Sequence, residues 1–152
     1  MTGKVGVSSG ILVIDAENQI LGRLASRVAK LLLEGRKIVI VNAEKALLSG
    51  EPRTVIEGYK KIFEVQTYRN PERQGIRRER SPERIVKSAV RGMLPVDKHK
   101  GRAALKNLMV YVGVPSEFAE AIKIKFPEAD ASKLRCKSVS VGELARQLGW
   151  RG

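Results

Sequence analysis

Ile11-Leu12-Val13-Ile14 and Lys37-Ile38-Val39-Ile40-Val41-Asn42 are almost unbroken apolar runs rich in β-branched residues, and the stretch LGRLASRVAKLLLEGR lies between them. A strand without polar alternation is buried on both faces, which is the habit of parallel sheets. In the intervening stretch Leu21, Leu24, Ala25, Val28, Leu31 and Leu32 recur at helical spacing, and Gly35 stops the helix. Strand, helix and strand within about 30 residues make a βαβ unit, which commits the chain to the α/β class.

The remaining segments follow in chain order. Residues 1–10 are small and polar and are expected to form a flexible lead; 11–152 are expected to fold as a single domain. Asp15-Ala16-Glu17-Asn18 reads as a turn. After Gly50-Glu51-Pro52, positions Val55, Ile56, Tyr59, Ile62 and Phe63 keep helical period. Between 66 and 80 the apolar signal nearly vanishes, which predicts a loop of about 15 residues. Ser81-Pro82-Glu83 is a helix start, with Ser as N-cap, Pro in the first turn and Glu matched to the dipole. Ile85, Val86, Ala89, Val90 and Met93 then share one face until Pro95 ends the helix. Asp97 is expected to cap a short helix running to Leu105, and Leu108-Met109-Val110-Tyr111-Val112 reads as a strand. Residues 116–137 are ambiguous. Ser138-Val139-Ser140-Val141 is either a short edge strand or the entry to a final helix from Gly142 to Leu148.

Charge is what speaks about partners. The chain carries 29 Lys and Arg against 16 Asp and Glu, a net charge of +13 with pI near 10.2. Residues 66–102 hold eleven basic and four acidic side chains, net +7, so about a quarter of the length carries over half of the excess. Such a concentration suits a polyanion, because each phosphate contact releases condensed counterions. Within it, Arg84, Lys87 and Arg91 fall at i, i+3 and i+7 of one helix and share a face with no interleaved acid. Lys98, Arg102 and Lys106 repeat the pattern at i, i+4 and i+8, with His99 and Lys100 beside them. The preceding loop offers Arg69, Arg73, Arg77, Arg78 and Arg80, whose planar guanidinium groups suit phosphate and base stacking; Tyr68 either stacks too or packs under its own loop. Arg23, Arg27 and Lys30 form a milder set on one solvent face of the first helix. No groove-reading DNA motif is present, so folded RNA recognised by backbone and shape fits best.

Other chemistry finds little support. The turn after the first strand has a single Gly22 and neither a dinucleotide fingerprint nor a P-loop. One His99 and one Cys136 supply neither a catalytic set nor a zinc site, so no metal, cofactor or small-molecule substrate is expected. A lone cysteine also excludes an intrachain disulfide and fits a reducing compartment. No apolar run approaches the roughly 20 residues of a membrane span, and MTGKVGVSSG lacks a signal-peptide core; a cytoplasmic protein is expected.

Three motif groups, "IDAENQILGRLASRVAKLLLEG", "KIVIVNAEKALLSG" and "RGMLP…KGRAALKNLMVYVGVP", resemble the large-subunit ribosomal protein L13 family over Ile11 to Pro115. The sharpest matches are Asp15-Ala16 with Leu21-Gly22-Arg23, Val41-Asn42-Ala43-Glu44, and Arg91-Gly92-Met93-Leu94-Pro95. Val114-Pro115 after the Val-Tyr-Val-Gly stretch, the arginine-rich loop and a short N-terminal segment are similar to the archaeal and eukaryotic branch. The resemblance implies a three-layer α/β/α fold with a mainly parallel central sheet of about four strands plus basic loop extensions. It also implies a structural, non-catalytic role: binding large-subunit ribosomal RNA beside neighbouring ribosomal proteins, with Arg23, Arg91 and the segment from Lys98 to Arg102 as leading contacts. The alternatives are an RNA-binding regulator acting outside the ribosome and a nucleotide-dependent enzyme with a degenerate phosphate loop.

Overall fold

In the computed structural model, which describes residues 10–76 and 78–152, the two apolar runs pair in parallel as β1 (Ile11–Asp15) and β2 (Lys37–Val41), with Ile14 opposite Ile40. The lead expected at 1–10 lies, apart from Gly10, outside the described residues, as does Arg77. Two short edge strands complete the sheet, β4 (Leu108–Val110) beside β2 and β5 (Lys123–Ile124) beside β1, giving the order β4-β2-β1-β5 with every pair parallel. Three further short elements are β3 (Leu47–Ser49) and β6 (Ser138–Ser140), which pair antiparallel away from the main sheet, and a four-residue helix described below.

One face of the sheet carries Ile14, Ile38, Ile40 and Leu108 into the main core. Covering it are α1 (Leu21–Leu33), α4 (Pro82–Gly92), α5 (His99–Lys106) and α6 (Val141–Gln147), with α2 (Pro52–Glu64) against the flank. Each fully buried Leu, Ile or Val contributes about 1.5–3 kcal/mol, so the apolar stripe decides which way each helix faces. For α1 that stripe is Leu21, Leu24, Ala25, Val28, Ala29 and Leu32; for α4 it is Pro82, Ile85, Val86 and Val90. On the opposite face Val13, Val39 and Val41 pack with Tyr111, Phe118 and Ala121, and a 3-10 turn at Ser116–Phe118 forms that thinner layer. The fold is the α/β/α arrangement that the family resemblance implies, with the second outer layer reduced to this short turn. No helix among the described residues is long and apolar enough to cross a membrane, and none of their His, Cys, Asp or Glu side chains form a group able to hold a metal ion.

The conspicuous sequence motifs turn out to terminate the strands. Asp15, at the end of β1, is nearly buried and accepts from Asn42 Nδ2 (2.9 Å) and from the Glu17 amide (3.0 Å), with Lys125 Nζ 3.4 Å away. Asn42 holds φ 55, a left-handed conformation that Asn tolerates better than most residues. Its amide donates to the Gly113 carbonyl (2.9 Å), and the Gly113 amide donates to Glu44 Oε2 (3.0 Å), so β2 is tied to the chain leaving β4. Gln19, also buried, donates through Nε2 to the Phe126 carbonyl (3.0 Å) and accepts from the Phe126 amide (3.2 Å), tying the β1–α1 turn to the chain beyond β5. Asp15, Gln19 and Asn42 are buried polar groups, and a buried group that loses its partner costs about 1–3 kcal/mol.

Several expectations need correction. Asp97 does not cap α5: the N-cap is Lys98, because the Lys98 amide closes a turn onto the Pro95 carbonyl (3.0 Å) and moves the helix start one residue on. Ser81 occupies the N-cap of α4, yet its hydroxyl makes no capping hydrogen bond. Met93 is exposed, since α4 ends at Gly92; it is Leu94, turned inward, that continues the buried stripe. The strand expected over 108–112 stops at Val110, where Tyr111 turns toward Phe118. The loop over 66–80 contains a short helix, α3 (Pro71–Gln74). The two readings of 138–141 are both realised: Ser140 ends β6 and its hydroxyl then caps α6 by accepting from the Glu143 amide (3.1 Å).

Burial raises the Asp15 pKa, but the hydrogen bonds from Asn42 and Glu17 and the nearby Lys125 outweigh it and hold the carboxyl below its ordinary 3.8. A depressed carboxyl contributes stability above its unfolded value and loses it as pH falls through the folded one. Asp15→Asn is therefore expected to melt lower than wild type at neutral pH, with the gap narrowing below the ordinary value of 3.8; thermal melts across that range check it.

Candidate nucleic-acid interface

The apolar stripe of α4 fixes which side chains remain outside. With Ile85, Val86 and Val90 buried against the core, Arg84, Lys87, Ser88 and Arg91 are left exposed on one face, at i, i+3, i+4 and i+7. Seven residues rise about 10 Å along a helix, so three cations span neighbouring phosphates. They line a hollow of about 520 Å³ with Arg78, Glu79 and Leu105 of α5. No carboxylate among the described residues forms an ion pair with Arg84, Lys87 or Arg91, although six such pairs form elsewhere. Cations grouped this way, with Glu79 the one acid lining the hollow and no ion pair formed to them among the described residues, repel one another in the free protein and are stabilised beside a polyanion.

The corner after α4 positions the second set. Leu94 is buried, and Pro95 directs the chain into the turn that starts α5. Gly101 on α5 lies so close to this turn that a Cβ would sit 2.0 Å from the Pro95 carbonyl oxygen. Only glycine lets α5 pack there. Lys98, His99, Lys100, Arg102 and Lys106 are all exposed around it. The first turn of α5 holds no acid, while Lys98, His99 and Lys100 crowd its positive end. A charge of the wrong sign at a helix end costs about 0.3–1 kcal/mol, so this placement is poor for an isolated helix and good for one facing phosphate. Arg102 Nη2 makes only a long contact with the Asp97 carbonyl, 3.5 Å.

The arginine loop divides. Arg69 and Arg73 are exposed, Arg73 on α3. Arg78 Nη2 donates to the Val65 carbonyl (3.0 Å), and the Arg80 guanidinium lies over the Phe63 ring, 5.0 Å from its centre. These two arginines thus pin the loop to the end of α2 while keeping much of their surface in solvent. Tyr68 is 92% exposed, so of its two readings the packed one is not what the structure has.

The set on α1 differs from its sequence reading. Arg23, Arg27 and Lys30 do line one hollow, of about 450 Å³, but Glu128 lines it too. The Glu128 carboxylate pairs with Arg27, and its carbonyl accepts from Arg23 Nη1 (3.3 Å). Only Lys30 is left without such a contact among the described residues. Nothing near α1 in sequence announced this, because the acid is supplied by a segment about a hundred residues away. Lys125 was missed for the same reason: it sits in the stretch of ambiguous pattern and faces Asp15 and Glu17. Hydrogen bonding from Lys45 and its charge, aided by Lys125, hold Glu17 below the ordinary carboxylate range.

With this geometry in place, the comparison with known proteins is specific. A family profile described as Ribosomal protein L13 matches residues 9–117. The chain belongs to the L13 family. The large ribosomal subunit protein uL13 of Saccharolobus solfataricus is 53% identical over 146 residues, covering 96% of this chain and 97% of its own length. The uL13 of Archaeoglobus fulgidus is 44% identical over 142 residues, covering 92% and 88%, and that of Methanococcus maripaludis 40% over 139, covering 91% and 98%. The motifs that carry the L13 resemblance serve two ends in the structure. Asp15-Ala16 and Asn42-Ala43-Glu44 close strand ends, whereas Arg91 to Pro95 and Gly101 build the corner that holds exposed cations.

Neutralising Arg84, Lys87 and Arg91 together is expected to leave the fold intact, since the apolar face of α4 is untouched. It should flatten the log–log salt dependence of RNA binding by about two to three, at roughly 0.7–0.9 per phosphate lost; an unchanged slope would mean that this face meets no phosphate. Gly101→Ala is expected to lower the melting temperature, because the added methyl meets backbone rather than a flexible side chain.

Proposed function

We propose that this protein is a structural component of the large ribosomal subunit, binding and helping to assemble large-subunit ribosomal RNA in the cytoplasm, without catalysis. The observation that carries the reading is the hollow on α4, where Arg84, Lys87 and Arg91 stand at fixed helical spacing without a carboxylate partner among the described residues. Supporting it are the names of relatives such as the uL13 of Saccharolobus solfataricus, which are large ribosomal subunit proteins, and the net charge of +13. The rigid sheet holds the cations while RNA supplies the anions. Arg84, Lys87 and Arg91 form the central contact. Lys98, His99, Lys100, Arg102 and Lys106 extend it around the corner, and Arg69, Arg73, Arg78 and Arg80 reach from the loop. Arg23, Arg27 and Lys30 make a weaker second contact, Arg27 being already paired. Neighbouring ribosomal proteins meet the remaining surface.

Sedimentation of host lysate through a sucrose gradient at moderate salt tests the reading. The protein is expected to travel with the large subunit and to be released only as salt rises. A protein that stays at the top of the gradient, in a defined complex with a messenger, would instead be a regulator acting outside the ribosome.

A further inference from the structure

A second hollow adjoins the basic one. It has a volume of about 200 Å³ and lies between α2 and α4, where Tyr59, Ile62 and Phe63 face Ile85 and Ala89. None of the residues of α2 is fully buried, and Ile62 is 40% exposed, so this apolar slot opens to the surface of the free protein. Pockets that enclose whole small molecules run to about 300–1,000 Å³; this one suits a single flat ring. Glu79 and Ser88 line both the slot and the basic hollow, so the two share a wall. On α4 the order is explicit. Arg84, Lys87, Ser88 and Arg91 form one face, and Ile85 and Ala89 the adjoining one.

We propose that the slot takes one unpaired RNA base, flipped out of its helix, while the phosphates on either side of it lie against Arg84, Lys87 and Arg91. This deepens the RNA-binding reading and rests on it. The match is one of chemical layout: a nucleotide has an anionic end and a flat, weakly polar end, and here a cationic wall and an aromatic slot meet along one helix. Arg80, over the Phe63 ring, sets a further cation beside the slot. At the shared wall the Ser88 hydroxyl donates or accepts and the Glu79 carboxylate accepts, which favours a base edge bearing an exocyclic amine. Bases inside an A-form duplex are stacked and out of reach, so the ligand is a bulge, loop or end. An apolar peptide side chain would fill the slot but would leave the adjacent cations unmatched.

Large-subunit ribosomal RNA transcribed in separate preparations with photoreactive 5-iodocytidine, 8-azidoadenosine or 6-thioguanosine, bound to the full-length protein, irradiated and digested, provides the test, with the adducts located by mass spectrometry. A nucleotide adduct on Tyr59 or Phe63 is expected. Ile62→Gln, a neutral change at an exposed position, and Ala89→Leu, which fills the slot, should each abolish that adduct and weaken binding on the order of ten-fold, as for one lost stacked base, while leaving the salt slope unchanged. A stable complex whose adducts all lie elsewhere, or variants that bind as tightly as wild type, would overturn the slot and leave the RNA-binding reading standing. No complex at moderate salt would sink the RNA-binding reading itself.

Discussion

The parallel pairing of β1 with β2 is the constraint from which the rest of the structure follows. Both strands are apolar along nearly their whole length, so both faces of the sheet must be covered. Helices α1, α4, α5 and α6 cover one, and a thinner layer around Tyr111 and Phe118 covers the other. Once α4 and α5 have turned their apolar stripes inward, their cations are left on the solvent side. The basic surface is in that sense a by-product of the core, aimed by it at a cost of no additional structure.

A sheet buried in this way has to end cleanly, because the polar backbone at the strand ends finds no water. Asp15, Gln19 and Glu44 meet that need with side-chain hydrogen bonds to backbone amides and carbonyls up to 107 residues away in sequence, and the Asn42 side chain donates to the Asp15 carboxylate. This explains why two of the recognisable short motifs, Asp15-Ala16 and Asn42-Ala43-Glu44, lie at the ends of β1 and β2, whereas Arg91 to Pro95 belongs to the basic corner. A motif match there is evidence of fold first, and of function through the fold.

The charge distribution tells the complementary story. Lys98, His99 and Lys100 at the positive end of α5, and Arg84, Lys87 and Arg91 without carboxylate partners among the described residues, are arrangements that a protein selected for stability alone would avoid. They become stabilising once phosphates are present. Arg27 shows the contrast: where Glu128 pairs with it, the cation is used inside the protein and less of it remains for a partner.

Local chemistry was enough to determine the βαβ start, the helical stop at Gly35, the stripes of α1 and α4, and the concentration of charge in 66–102. Each of these depends on residues within one or two turns of each other, and periodicity reports such spacing directly. The two-residue strand β5, the three-residue strand β3 and the pairing of Glu128 with Arg27 were not legible, because each is held by partners tens of residues away and has too little length for a pattern. Likewise Met93 and Leu94 look equivalent in sequence; only the end of α4 at Gly92 and the Pro95 corner decide that Leu94 turns in and Met93 out. Gly101 carried no signal either, since its need for a missing side chain arises from the Pro95 carbonyl packed against it. The sequence by itself determined that the protein is a basic α/β domain suited to a polyanion. Tertiary structure decided which of its cations remain available and set an apolar slot beside them, because pairing and burial are properties of contacts between distant segments.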